Sequence, residues 1–373
     1  MSWIKEFNKV DEFFPKSQKR SGKVIDHVEF YDGKSIEQVN SKKCLFVFSV
    51  INPALSLFTD SIHFQIRRTF YNLYTSLPND AVIFDLGYHV LNDSTFSVID
   101  ELYKELHNTK NNFVLLSSVN DANTLLYYSI KRHNKIVSVS ETSPFLPFGE
   151  EQEMKGLKGI ISDPDNNLFN YSNLGMQTFL NSTTSQDKFR KMLFDTYRMG
   201  LLKSDISIAE PVIRDSHLFL FDLNSVMVSD APASSLANPT GFSGFEACRL
   251  SRYAGISEMN QTFCINKLPE TDDKNATTSF LVAQMLWYFS EGWFNRKPER
   301  PGSKTKGFNI FITETADYGT FTFLQSQISD RWWLQIESLK GKKITISCLK
   351  EDYLETLKGE IPEKFIKFYQ KIS

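Results

Sequence analysis

Short apolar runs separated by longer stretches of helical period set the main constraint on this chain. Residues 44–50 (CLFVFSV), 81–86 (AVIFDL), 113–116 (FVLL), 136–139 (IVSV) and 217–223 (HLFLFDL) are rich in β-branched and aromatic side chains and too short for buried helices. Between them, residues 61–77, 95–108 and 121–133 repeat apolar positions at helical spacing. Strands that are apolar on both faces and alternate with helices predict β-α-β units and a mainly parallel sheet covered on both sides. The pattern continues with strands predicted over 156–161, 170–175 and 261–265. Helices are predicted over 187–200, 242–254 and 276–293, the last capped by Thr277 or Thr278.

Residues 1–40 are polar and interrupted by Pro15, Gly22 and Gly33, which reads as an arm with one strand over 23–31. The packed α/β domain is assigned to 41–298. KPERPGSKTK, at 297–306, turns basic and Pro/Gly-rich and marks a linker. Beyond it, 307–373 carries strand patterns at 308–313, 320–325, 332–336 and 343–348, then helices at 351–357 and 362–372, a small α+β extension.

Composition removes several classes of function. Lys+Arg total 42 against 44 Asp+Glu, so the charge balance offers no footprint for nucleic acid or an anionic membrane. The N-terminus has no apolar signal core, and no stretch approaches the ~18 apolar residues of a spanning helix. Cys44, Cys248, Cys264 and Cys348 form no C-x-x-C pair, which argues against a thiolate zinc site and for a reducing, cytoplasmic setting. Six His still permit a His/Asp metal site, so the motifs must decide.

The segment HLFLFDLNSVMVSDAPASSLANPTGFSGFEACRL, from His217, resembles the third signature of the arginase/ureohydrolase family. That signature is a buried strand ending in D-x-D-x-x-D-P, then x-x-A-P, a Gly pair and a Glu. Asp222 matches its first Asp, Ala231-Pro232 the A-P, Gly241 the second Gly and Glu246 the Glu, without a gap. Pro269, Asp272 and Thr277 resemble the Pro, Asp and helix-capping Thr that follow. FVLLSSVND stands where a strand should enter G-G-D-H, and IVSVSETSP where one should enter D-A-H-x-D. FNYSNLGMQTFLN, EPVIRD and SDRWW look most like the formimidoylglutamase-like branch of Bacteroidetes. The resemblance spans roughly Cys44 to Trp293 and implies a three-layer α/β/α sandwich of the arginase/deacetylase type.

Members of that family hydrolyse guanidino or formimino groups with a hydroxide bridging two Mn²⁺ ions, held by two His and four Asp at strand ends. Two divalent cations need anionic oxygen donors, and the metals lower the water pKa so that hydroxide forms near neutrality. Carried over, the His of G-G-D-H falls on Asn120, with Ser117, Ser118 and Val119 on G-G-D. The ligands of D-A-H-x-D fall on Ser140, Thr142 and Pro144. Of D-x-D, Asp222 remains and the second position is Asn224, so five of six ligands are changed. Glu141 and Asp121 lie one residue from matched positions, but His27, His63, His89, His107, His133 and His217 all fall outside the two where imidazole is required.

Each of these residues also has a plain structural reading. Asp222 can accept hydrogen bonds from the loop it leads into, and Glu246 suits the first turn of a helix by the helix dipole. Ser140 and Thr142, flanked by Ser138 and Ser143, are a nucleophile-rich loop with no base placed by motif. Asn120-Asp121 suits a helix cap, His89 and His217 suit satisfied core imidazoles, and Trp332-Trp333 suits the core of the extension rather than a partner anchor. The expectation is therefore a ureohydrolase-fold protein without its manganese site, a non-catalytic binding, scaffold or regulatory protein. A small-molecule ligand is expected at Asn120, Thr142, Asp222, Asn224 and Glu246. The alternative is a Mn²⁺-dependent formimidoylglutamase or amidinohydrolase with a divergent site. The resemblance also implies a homo-oligomer, and the sequence names no protein partner.

Overall fold

The computed structural model describes residues 3–15, 21–32, 43–55, 57–106, 111–119, 122–148, 159–161, 163–302, 306–315, 319–337 and 343–372. Nine strands form the main sheet: β1 (Val28–Phe30), β2 (Cys44–Ile51), β3 (Val82–Val90), β4 (Asn112–Ser117), β5 (Val137–Thr142), β6 (Leu168–Met176), β7 (Asp195–Arg198), β8 (Leu218–Asp222) and β9 (Thr262–Asn266). Their order is β1-β3-β2-β4-β9-β8-β5-β6-β7. All paired neighbours run parallel. β2, β4, β5, β8 and β9 are buried at every position, the burial expected of strands covered on both faces.

Helices cover both faces. Helices α1 (Ile62–Asn72), α5 (Met199–Ser204), α6 (Ala209–Arg214), α7 (Gly244–Ile256) and α8 (Thr277–Asn295) bury apolar stripes against one side of the sheet. Helices α2 (Thr95–Leu106), α3 (Ala122–Lys131) and α4 (Thr183–Lys191) cover the other. The three-layer α/β/α sandwich is thus the architecture, with a sheet that is entirely parallel. Residues assigned to the arm contribute β1 to the sheet edge, and Ile4, Phe7, Val10 and Phe14 are buried in the two cores.

Local chemistry sets the helix starts. Ser61 accepts the Phe64 N–H ahead of α1. The Ser243 hydroxyl accepts the Glu246 N–H ahead of α7 while the Glu246 carboxylate accepts the Ser243 N–H, a capping box. The cap of α8 differs from the expected Thr277 or Thr278. Ala276 holds the cap position at φ 55°, and the Asp273 carboxylate accepts the N–H groups of Thr277 (3.1 Å) and Thr278 (2.7 Å). A carboxylate satisfies two orphan donors at once and meets the positive end of the helix, which a threonine hydroxyl cannot.

Two further expectations are corrected. Residues 187–200, read as one helix, divide into the end of α4, strand β7 and the start of α5, because Leu193 adopts φ 58° and breaks the helix. The strand expected over 156–161 lies partly outside the described residues, and 159–161 are helical.

Strands β10 (Phe308–Thr315), β11 (Gly319–Ser326), β12 (Trp332–Glu337) and β13 (Lys343–Cys348) form an antiparallel sheet in sequence order, followed by α9 (Lys350–Leu357) and α10 (Glu363–Ile372). Trp332 and Trp333 are 5% and 2% exposed, so they are core, not a surface anchor. Among the described residues no helix is long and apolar enough to cross a membrane.

Candidate functional site at the carboxyl ends of the strands

In an open parallel sheet the strand ends converge on a crevice outside their carboxyl termini. The register of β5, β8 and β9 brings Thr142 opposite Phe221 and Asp222 opposite Asn266. Asp222 is 5% exposed and its carboxylate works locally. Its Oδ1 accepts the Asn224 N–H at 2.9 Å and its Oδ2 accepts the Ser143 hydroxyl at 3.4 Å. The Thr142 and Ser225 hydroxyls lie 3.2 Å apart, and Ser225 donates to the Asp222 carbonyl at 2.6 Å.

The remaining matched positions are turned to the fold. Asn224 Oδ1 accepts from Ser235 Oγ (3.0 Å) and the Leu236 N–H (2.9 Å), which pins the following loop. Ser140 is fully buried and its hydroxyl has no hydrogen-bond partner. The Pro144 carbonyl accepts from the Gln177 N–H (3.1 Å) and Asn181 Nδ2 (2.8 Å). Glu246 serves the capping box and receives Lys203 Nζ at 2.6 Å, so its carboxylate faces α5. Asn120 lies outside the described residues, as does Asp121. The structure therefore joins Thr142, Ser143, Asp222 and the Asn224 backbone into one hydrogen-bonded group and directs Glu246 elsewhere.

Two groups at the strand ends lie outside the motif positions. Glu141 alternates to the opposite face of β5 from Ser140 and Thr142, where the Tyr171 hydroxyl donates to its Oε2 and Asn123 Nδ2 to its Oε1 at 3.2 Å. Asn266 Nδ2 in turn donates to Asn123 Oδ1 at 2.8 Å. Burial pushes the Glu141 carboxyl up to about 7, with the Tyr171 hydrogen bond opposing and the nearby Asp222 charge adding to the rise. The other group is His63, whose Nε2 lies 2.6 Å from Ser118 Oγ at the end of β4. Its Nδ1 is 3.1 Å from Ser49 Oγ, which also accepts Arg67 Nη1 at 2.7 Å. Burial and the Arg67 charge hold His63 at about 3, so it is neutral and a weak base. Its hydrogen bond to Ser118 spans 55 residues of sequence, and no motif signals it. His89 and His217 are satisfied core imidazoles, bonded to the Glu6 carbonyl and Thr95, and to the Ser138 N–H.

Among the described residues, the positions matched to the family's manganese ligands offer a single carboxylate, Asp222. Two divalent cations need several anionic oxygens within coordination distance. The described ligand positions present two hydroxyls, a proline, an asparagine turned to its own loop, and one carboxylate. Among the described residues no group of three or more His, Cys, Asp and Glu could hold a metal ion.

Gly241 shows what the conserved-looking part of the signature does. A Cβ there would meet the Ser225 carbonyl oxygen at 2.4 Å and the Val226 carbonyl carbon at 2.6 Å, because the loop into α7 runs directly along the chain leaving β8. Replacing Gly241 by Ala is expected to cost about 3 kcal/mol through this backbone overlap. Urea unfolding measures it, and an unchanged midpoint would refute the close approach.

No protein-family model and no curated protein matches this sequence. Solved structures do match the fold. The formimidoylglutamase of Bacillus subtilis superposes with a TM-score of 0.63 at 14% identity, over 77% of this chain and 97% of that one. A Trypanosoma cruzi formiminoglutamase with Mn²⁺ gives 0.58 at 12% identity, over 69% and 95%. The arginase of Medicago truncatula gives 0.53 at 11% identity, over 69% and 89%. Identities this low speak to architecture and leave the chemistry to the site. The α/β domain of this chain has the arginase/ureohydrolase fold.

Proposed function

We propose that this protein is an arginase-fold pseudoenzyme that lacks the dinuclear manganese site and acts by binding, as a scaffold or regulatory protein. The observation that carries this reading is the use made of the matched positions. Asp222 caps the turn at Asn224, Asn224 holds the loop at Leu236, and Glu246 closes the capping box of α7. These side chains are spent on backbone groups, so the anionic charge needed for two metals is missing. The crevice at Thr142, Asp222 and Asn224 is where a small ligand would bind. Four buried thiols support a reducing, cytoplasmic setting.

Protein produced in manganese-supplemented medium is expected to carry far less than a dinuclear complement of Mn by elemental analysis. It is expected to release no ammonia, formamide or urea from arginine, agmatine or formimino-glutamate. Stoichiometric manganese with product release would end the pseudoenzyme reading. Asp222→Asn is expected to change stability by only about 1 kcal/mol, since the amide oxygen still accepts the Asn224 N–H. One feature favours the alternative of a divergent formimidoylglutamase, namely the second buried carboxyl at the strand ends, Glu141, close enough to Asp222 to feel its charge. The same assay decides between them.

A further inference from the structure

The antiparallel sheet of the extension has two edges, and only one is protected. At β13 the Ser347 N–H donates to Asp215 (2.7 Å), the Ser347 carbonyl accepts Lys364 Nζ (2.7 Å) and the Cys348 carbonyl accepts Arg214 Nη2 (3.4 Å). β10 forms the opposite edge and pairs only with β11, in unbroken register from Phe308 opposite Ser326 to Thr315 opposite Gly319. Two bonds fix the phase of this ladder: Gln327 N–H donates to the Gly307 carbonyl (3.0 Å), while Ser326 N–H turns the other way, to the Arg331 carbonyl (2.9 Å). Asn309, Phe311, Thr313 and Thr315 therefore bond to β11, and the N–H and C=O groups of Phe308, Ile310, Ile312 and Glu314 point away from the sheet. Among the described residues these outward groups meet no hydrogen-bond partner.

A free edge is normally defended by a proline, a bulge or a charge in mid-strand. Residues 307–313 (GFNIFIT) contain none of these. Phe311 is committed inward, its ring stacked on Trp332 at 5.0 Å between centroids and 5.1 Å from Tyr353. Ile310 and Ile312, on the other face of the strand, are 50% and 66% exposed. Exposed charges of opposite sign bracket them, Lys306 just before the strand and Glu314 near its end.

This arrangement is its own complement. Antiparallel pairing of two copies about a two-fold axis at Ile310 sets Ile310 against Ile310 and Phe308 against Ile312, and it brings Lys306 of each copy to Glu314 of the other. The positions that meet are those whose backbone groups point outward, and 308–312 alone then forms about six main-chain hydrogen bonds between copies. We propose that β10 is a dimerisation strand, joining the four-stranded sheets of two copies of this chain into one continuous sheet. An extended peptide of another protein could pair with the backbone, but a second copy supplies the matching charges by symmetry alone. One strand per copy makes a small interface, so association is expected in the micromolar range. The proposal is independent of what the crevice at Asp222 binds.

Sedimentation equilibrium of the full chain at low ionic strength, from about 1 to about 100 μM, tests this. The mass is expected to rise from 43.0 kDa toward twice that value. Ile310→Lys sets two ammonium groups face to face on the axis and is expected to weaken association about tenfold or more, with the fold kept by circular dichroism. Lys306→Glu and Glu314→Lys each place like charges opposite one another, and each alone is expected to associate more weakly than the native chain. Mixed in equal amounts, these two variants regain opposite charges at both ends of the ladder and are expected to associate more tightly than either does alone. A monomer throughout the range, undiminished association of Ile310→Lys, or a mixture no tighter than its components would overturn the proposal. The mixture remains decisive if Ile310→Lys fails to fold.

Discussion

Replacing Arg67 by Met is expected to destabilise the protein by about 3–5 kcal/mol, because it strands a buried carboxylate. Arg67 and Asp85 side chains are 1% and 0% exposed. The guanidinium meets Asp85 through Nε at 2.8 Å and Nη2 at 3.1 Å, and also donates to the Gly87 carbonyl at 2.8 Å and Ser49 Oγ at 2.7 Å. The Tyr71 hydroxyl and the Gly87 N–H complete the Asp85 shell. One side chain from α1 thus satisfies groups on β2 and β3. Without it the Asp85 charge keeps only neutral donors in a medium that solvates it poorly. Adding Asp85→Asn to Arg67→Met is expected to recover a large part of the loss, since an amide keeps the Tyr71 and Gly87 contacts without a charge. Urea midpoints of the single and double variants measure both terms, and a single-variant cost below about 1 kcal/mol would show that the pair is dispensable.

The second large effect is in pH. Glu141 is held at about 7 against an ordinary 4.5, chiefly by burial. A carboxyl whose folded pKa is raised contributes stability that is full below its unfolded pKa and is lost as pH rises through the folded one. Glu141→Gln removes that dependence. The stability of the variant relative to the native protein is therefore expected to rise by about 2 to 3 kcal/mol between about pH 5 and about pH 8. His63 and His217, held down at about 3 and about 4 mainly by burial, act in the other direction. Their stabilisation is present above the unfolded histidine pKa and is lost as pH falls through the folded values. Taking the variant minus native difference at each pH cancels both histidines, so a flat difference would place Glu141 in a wetter site than the structure gives it.

The fold was legible because its central strands are buried on both faces and so are written as unbroken apolar runs. CLFVFSV and HLFLFDL became β2 and β8 with ends shifted by at most one residue. β7 was missed because DTYR, at the sheet edge, is only partly buried and carries no such run. At the site, sequence matching located Thr142, Asp222 and Asn224 at the strand ends, where the structure has them. It did not reveal the hydrogen bond between His63 and Ser118 or the Tyr171–Glu141 pair, because those contacts form only after distant strands and helices assemble. For Glu246 the reading of a carboxylate suited to the first turn of a helix agrees with its place in the structure. A carboxylate three residues after a serine at a helix start is equally the pattern of a capping box, and that is the use the structure makes of it.

The parts of the third signature that remain each have a task in folding. Asp222 caps a turn, Ala231 is fully buried, Gly241 permits a close backbone approach, and Glu246 caps α7. The changed position within it, Asn224, still anchors the loop through a carbonyl oxygen that an aspartate would also have offered. Each of these residues thus has a structural task whatever else the segment does.

The extension marked off by its Pro/Gly-rich linker is a boundary in composition but not in energy. Arg214, at the root of β8, donates to carbonyls of β12 and β13, and Asp215 accepts the Ser347 N–H (2.7 Å) and hydroxyl (2.6 Å). Lys367 pairs with Asp195 at 3.2 Å, and Lys371 donates to Asn170 at 2.6 Å. Cutting the chain at the linker would leave a guanidinium without its carbonyls and its Trp333 face, Asp215 without its Ser347 donors and Asp195 without its lysine. Such a truncation would be a wound rather than a trim. The sandwich and its appendage therefore share buried charges, and each supplies partners that the other needs.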